Sequence, residues 1–222
     1  MLSLFLLLVY SLILSIVFSR PIFFEVRQPF SLIGFIIELA SLIMAFVLVL
    51  RFYKKNGLSK ALVFFLPLFL LAPVLEGDWI ISGRFTFHQL NFYLWNTPLA
   101  IIFYYAGGYE LYLLYKKIGK GFGNRLKAAG IHLLLDTLLT TPFAILLGFW
   151  TFRSTLLPYY PFIIPVVHIG EVGFGFLYIL FQEWLLMTKK VKGAAKPLVS
   201  ISVMFIALLV YSQLRFVFDW FI

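Results

Sequence analysis

The chain has 222 residues, 63% of them hydrophobic and 20% aromatic, with a mean hydropathy of +1.01, values that exclude an ordinary soluble domain. It contains no cysteine, which removes disulfides, thiolate nucleophiles, iron–sulfur clusters and thiolate zinc sites from consideration. The formal charge of +9 comes from short basic clusters between apolar runs, a membrane-topology pattern rather than a nucleic-acid surface.

A helix that crosses a bilayer needs about 20 apolar residues. The breaks in this chain predict seven of them, over residues 2–19, 30–52, 60–80, 90–115, 127–151, 160–188 and 197–220. The first has no basic n-region and no small-residue cleavage site before Arg20-Pro21, so a retained helix is expected rather than a signal peptide. The second carries Gly34, Glu38 and Ser41 on one face. The third ends in Leu75-Glu76-Gly77-Asp78-Trp79, followed by Gly83, Arg84, Phe85, Thr86, Phe87 and His88. The fourth includes Asn96-Thr97-Pro98-Leu99 and then Tyr104, Tyr105, Tyr109, Tyr112 and Tyr115, read as packing or interfacial residues.

In the fifth, His132, Asp136 and Thr140 recur at i, i+4, i+8 and share a face, with Pro142 just beyond. His168 and Glu171 stand three apart in the sixth, among Gly170, Gly173 and Gly175, which admit close packing. The seventh has no lysine, so a retinal Schiff base there is excluded. No loop is long enough for a second domain. The fold class expected is therefore all-α: a single polytopic membrane bundle of seven helices.

Thirteen of the eighteen Lys and Arg residues fall in the second, fourth and sixth loops. By the positive-inside rule these loops and the N-terminus are cytoplasmic, and the cell membrane is the expected location.

Glu38, Asp136 and Glu171 each lie nine or ten residues from a predicted helix break, roughly 13–15 Å deep. Charge at that depth is normally paired, protonated or functional, so all three are expected to face the interior. Whether they share one cavity stays open. For Asp136 the alternatives are a proton-handling acid with His132 as partner, or a hydrogen bond that holds helices together. For Glu171 with His168 they are catalysis or a satisfied packing pair. Glu76 and Asp78 at the outer mouth shape an entrance or an acid site, or are solvated loop charges. Glu110 and Glu183 are explained by pairing to lysines at the basic end. The three histidines sit on separate segments without HExxH spacing, so no metal site and no cofactor are expected.

Two stretches carry a resemblance. Glu76-Gly77 with Gly83, Phe85 and Phe87, leading to Asn96-Thr97-Pro98-Leu99, is one. Asp136, Pro142 and Gly148-Phe149-Trp150-Thr151-Phe152 is the other. Together, over residues 70–155, they resemble the integral-membrane carotenoid-biosynthesis family of bisanhydrobacterioruberin hydratase-like proteins. The chain departs from that pattern at Thr140-Thr141, where the family has an acid before the proline, and at Pro165-Val166-Val167-His168-Ile169, where the family has Asn-Phe.

The resemblance implies an intramembrane enzyme of isoprenoid or carotenoid metabolism. A carboxylic acid kept neutral by desolvation protonates a C=C bond, after which water adds or a ring closes. Asp136 is the first candidate acid, then Glu76, Glu171 and Glu38. His132 or His168 orients it or takes a proton, and Asp78, Asn96 and Trp150 contact substrate. Membrane lipid or an isoprenoid is the expected partner, nucleic acid is not, and homo-oligomerisation stays open. The alternatives from other classes are a proton- or cation-coupled transporter and a membrane scaffold.

Overall fold

The computed structural model describes residues 24–81, 85–119, 121–152, 181–191, 195–203 and 206. In chain order the elements are β1 (Phe24–Val26), α1 (Leu32–Asn56), α2 (Leu58–Ile81), β2 (Phe85–Phe87), β3 (Phe92–Leu94), β4 (Thr97–Pro98), α3 (Leu99–Tyr104) and a 3-10 turn (Tyr105–Gly107). They continue with α4 (Gly108–Ile118), α5 (Phe122–Leu135), a π turn (Asp136–Thr140), α6 (Thr141–Leu146) and β5 (Trp150–Phe152). Residues 181–187 and 195–203 are also helical. The expected spans over 2–19 and most of 160–188 and 197–220 lie outside the described residues, as do His168 and Glu171.

The protein is mostly helical, and among the described residues two helices, Leu32–Asn56 and Phe122–Leu146, are long and apolar enough to cross a membrane. α1 begins where Ser31 caps it, its Oγ accepting the Gly34 N–H at 3.0 Å, as a hydroxyl before an apolar run does. It ends at Gly57, whose φ of 83° suits a residue without Cβ. Its buried positions, Gly34, Glu38, Ala45, Leu48 and Phe52, form a narrow stripe at helical spacing. Much of the remaining surface is exposed and apolar, including Ile33, Ile36, Ile43 and Phe46.

The largest core cluster joins the end of α1 to α2, α4 and the start of α5 through Phe52, Phe64, Phe65, Tyr109, Tyr112, Tyr115 and Ala128. Ring centroids there lie 5.0 Å apart for Phe52–Phe64 and 5.1 Å for Phe52–Tyr109, within the range of favourable aromatic pairs. Of the five tyrosines in this stretch, Tyr109, Tyr112 and Tyr115 are buried, while Tyr104 is exposed.

The helical class expected is met in outline, and five short strands among the described residues add to it, at the end of the bundle away from the Phe52 cluster. β1, β3 and β4 form one antiparallel sheet and β2 pairs with β5. The fourth helix accordingly starts at Leu99 rather than residue 90. Phe85-Thr86-Phe87 and Phe92-Tyr93 are aromatic or β-branched, types that suit a pleated surface. Leu94 pairs with Thr97 across Trp95 and Asn96, whose φ values of 51° and 66° are those of a two-residue hairpin turn.

Prolines shape the interior. Pro67 inside α2 has no N–H to give to the Val63 carbonyl one turn back. Side chains from the two later helices replace it, with Ser200 Oγ donating at 3.0 Å and Gln182 Nε2 at 3.4 Å. All three residues are fully buried. Ser200→Ala should therefore destabilise by about 1–3 kcal/mol. In a Pro67→Ala background, where Val63 regains a helical donor, the same change should cost much less. Thermal unfolding of the four proteins in detergent checks this; equal costs in both backgrounds would show that Ser200 does not serve the freed carbonyl.

Candidate functional site

The best-defined polar site lies where the strands meet α1. Glu38 is 5% exposed. Its Oε1 accepts the backbone N–H of Asn91 at 2.7 Å and of Phe92 at 2.8 Å. Its Oε2 accepts Asn91 Nδ2 at 3.0 Å. The Asn91 side chain also ties down the helix start, donating to Ser31 O at 2.9 Å and accepting from Ser31 N at 2.7 Å. The chain packs closely enough that a Cβ on Gly34 would stand 1.7 Å from Gln89 O. Only glycine fits there.

Glu38 thus works as an acceptor for the β3 entrance, with both oxygens engaged. Counted from Leu32 it stands about 9 Å along its helix, and Asp136 stands about 15 Å from Leu146 at the corresponding end of its own.

Asp136 opens the π turn of the Phe122–Leu146 helix. Pro142 cannot donate to the Leu138 carbonyl, and the helix widens just before it. Only the Asp136 backbone is described. His132, one turn earlier, is half-buried. Glu76, one turn before the end of α2, accepts the Tyr105 hydroxyl at 2.6 Å. Asp78 follows two residues later on the same helix, described by its backbone alone. Asn96 is exposed at the hairpin turn.

Trp150 pairs across β2–β5 with Phe87, ring centroids 5.8 Å apart, and His88 Nε2 lies 2.8 Å from Thr151 Oγ1. The strands therefore gather Phe87, His88 and Trp150 on one short ladder. Its neighbour Phe149 closes a second core cluster with Phe87, Leu90, Tyr93 and Ala100. Among the described residues no group of three His, Asp or Glu could hold a metal ion.

At the opposite end Glu183 accepts from Tyr115 Oη at 3.0 Å and pairs with Arg125 Nη2. The two charged side chains are 13% and 20% exposed. Glu183 was expected to be held by lysines; its partners are an arginine and a tyrosine, which join α4, α5 and the helix over 181–187. Glu110 is exposed.

Asn91 is the residue of this polar site that the sequence does not mark. It looks like one polar residue at the head of an apolar run. Ser31 did carry a signal, since serine before an apolar helix is a start mark.

Comparison with protein-family models, curated proteins and solved structures finds no match to this chain.

Glu38→Gln keeps an oxygen for the two backbone donors but turns an amide toward Asn91 Nδ2, whereas Glu38→Ala leaves all three donors without it. The first should destabilise by about 1 kcal/mol and the second by about 3–5 kcal/mol, since a buried unsatisfied donor costs about 1–3 kcal/mol. Thermal unfolding in detergent reads the difference. Equal losses in the two variants would mean that the carboxylate does not support the strand backbone.

Proposed function

We propose that this chain is an integral protein of the cell membrane, with seven helices and a cytoplasmic N-terminus, and that it acts on a long isoprenoid or carotenoid inside the bilayer. The membrane reading is supported by the two long apolar helices and by the broad exposed apolar surface of α1, which water would make an aggregation liability and lipid would solvate. The basic residues cluster on alternate loops.

The observation that carries the chemical reading is the π turn that begins at Asp136, near the middle of a 25-residue apolar helix. Such widened turns are frequent at functional sites, and an ionisable residue at that depth is a functional candidate by default. The resemblance over residues 70–155 to carotenoid hydratases points to the same position.

In this reading the Asp136 carboxyl transfers its proton to one carbon of a C=C bond. The π pair becomes the new C–H bond, and positive charge develops on the neighbouring carbon. Aromatic faces stabilise that cation, with Phe87 and Trp150 as the described pair nearest in kind. Water then adds and gives up a proton to the Asp136 carboxylate or to His132, or a second double bond closes a ring and the resulting cation loses a proton from the adjacent carbon to the same carboxylate or to His132. Glu76, held by Tyr105, is the next candidate acid, and Glu171 with His168 the one after.

Topology is tested by single cysteines in this cysteine-free chain. A cysteine at Asn56 should be labelled only from the cytoplasmic side and one at Ser154 only from outside. Cytoplasmic labelling at Ser154 would overturn the seven-helix arrangement.

The acid step is tested by Asp136→Asn, which preserves size and hydrogen bonding but removes the titratable proton. With membranes supplied with isoprenoid and carotenoid polyenes, and products separated by chromatography, conversion should fall about 10²–10⁴-fold. Turnover close to the parent would make Asp136 structural and move the acid role to Glu76.

A further inference from the structure

We propose that the basic end of the bundle binds the phosphate headgroups of anionic lipids through three Lys-Lys doublets, Lys54-Lys55, Lys116-Lys117 and Lys189-Lys190. The inference rests on the membrane reading above and adds a specific partner to it.

Each doublet sits at the C-terminal end of a helix. Lys54-Lys55 and Lys116-Lys117 occupy the last turns of α1 and α4, and Lys189-Lys190 follows the helix over 181–187. The three ends lie on one side of the molecule, because Phe52, Tyr115 and Leu186 pack into the same cluster. The Arg125–Glu183 pair and the Tyr115 hydroxyl bond hold two of them together.

The charge there is uncompensated. All six lysines are exposed, and among the described residues none forms an ion pair; the nearby carboxylate of Glu183 is engaged by Arg125. Lys116 rests its ammonium 4.5 Å from the Tyr112 ring centroid, which orients the charge without cancelling it. Three helix C-termini contribute only about −0.5 each. Against six ammonium groups the positive field wins by a wide margin.

The surroundings favour a lipid over a soluble polyanion. Trp184 and Met187, within two turns of Lys189, are 49% and 71% exposed. They place an aromatic ring and a thioether beside the lysines, an apolar flank at acyl-chain level under a cationic rim at headgroup level. Clusters of four to eight basic residues beside a membrane helix attract anionic lipid, at about fivefold in partitioning per lysine.

Trp184 is a built-in probe. Purified protein is placed in phosphatidylcholine vesicles that carry either brominated phosphatidylglycerol or brominated phosphatidylcholine. Quenching of Trp184 is read as the difference between the protein and its Trp184→Phe variant. At equal mole fraction the brominated phosphatidylglycerol should quench several-fold more effectively. The preference should shrink as salt rises from about 0.1 M to 1 M and the screening length falls from about 10 Å to 3 Å. Lys189→Gln with Lys190→Gln should lower it about fivefold or more, and the two Lys→Arg changes should preserve it.

Equal quenching by the two lipids, or a preference untouched by the glutamine pair, overturns the proposal. So does capture of the solubilised protein by heparin in preference to phosphatidylglycerol micelles, which would indicate a soluble polyanionic partner. Alkaline carbonate extraction separates the two levels of inference: protein that stays in the membrane but shows no lipid preference removes only this proposal, whereas release removes the membrane reading with it.

Discussion

A backbone N–H that enters apolar surroundings has to find an acceptor inside the protein. The strand segment 85–98 brings several such groups against α1, and the Glu38 carboxylate accepts from two of them as well as from the Asn91 side chain. The strands, the close contact at Gly34 and the start of α1 all hang on that cluster. Val63 answers the mirror-image problem, an acceptor orphaned by Pro67 and met by donors from Ser200 and Gln182.

Seen this way, polar residues in this chain divide by what they serve. Glu38, Ser31, Asn91, Ser200 and Gln182 complete the backbone hydrogen bonding at a helix start, at the strand entrance and at a proline inside a helix. Glu183 serves a different end, joining three helix termini through a partly buried pair with Arg125. Such a pair owes much of its value to specificity of arrangement, since desolvation offsets its attraction. The π turn at Asp136 belongs to neither group. There the proline fault is accommodated by widening of the helix itself, and the position begins with an acid.

Much of the helical frame was legible in the sequence. Ser31 before an apolar run and Gly57 after a lysine pair fix the ends of α1, and Gly119 closes α4 by the same logic. Pro142 in an apolar helix marks a freed carbonyl, but not that the helix widens into a π turn ahead of it. The strands were not legible, because a short apolar run rich in Phe, Tyr and Leu satisfies both periodicities. Residues 90–98 read equally well as the head of a helix. Nor could one sequence join Glu38 to Asn91, 53 residues apart, or Arg125 to Glu183, 58 apart. Pairings across such distances come from the way helices pack, which no local pattern encodes.

The separation between Glu38 and its donors also bears on how the chain is made. If α1 enters the bilayer as it is synthesised, it does so before Asn91 and Phe92 exist, with its carboxyl unpartnered. Thirteen Leu, Ile, Phe and Val residues between 32 and 50 favour insertion by about 0.3–0.6 kcal/mol each, against roughly 3 kcal/mol for one acid. On the membrane reading proposed above, the helix would enter without help, its acid unpartnered until residues 89–92 are made. That carboxyl would then be the point on which the segment settles, and the order of translation would become an order of assembly.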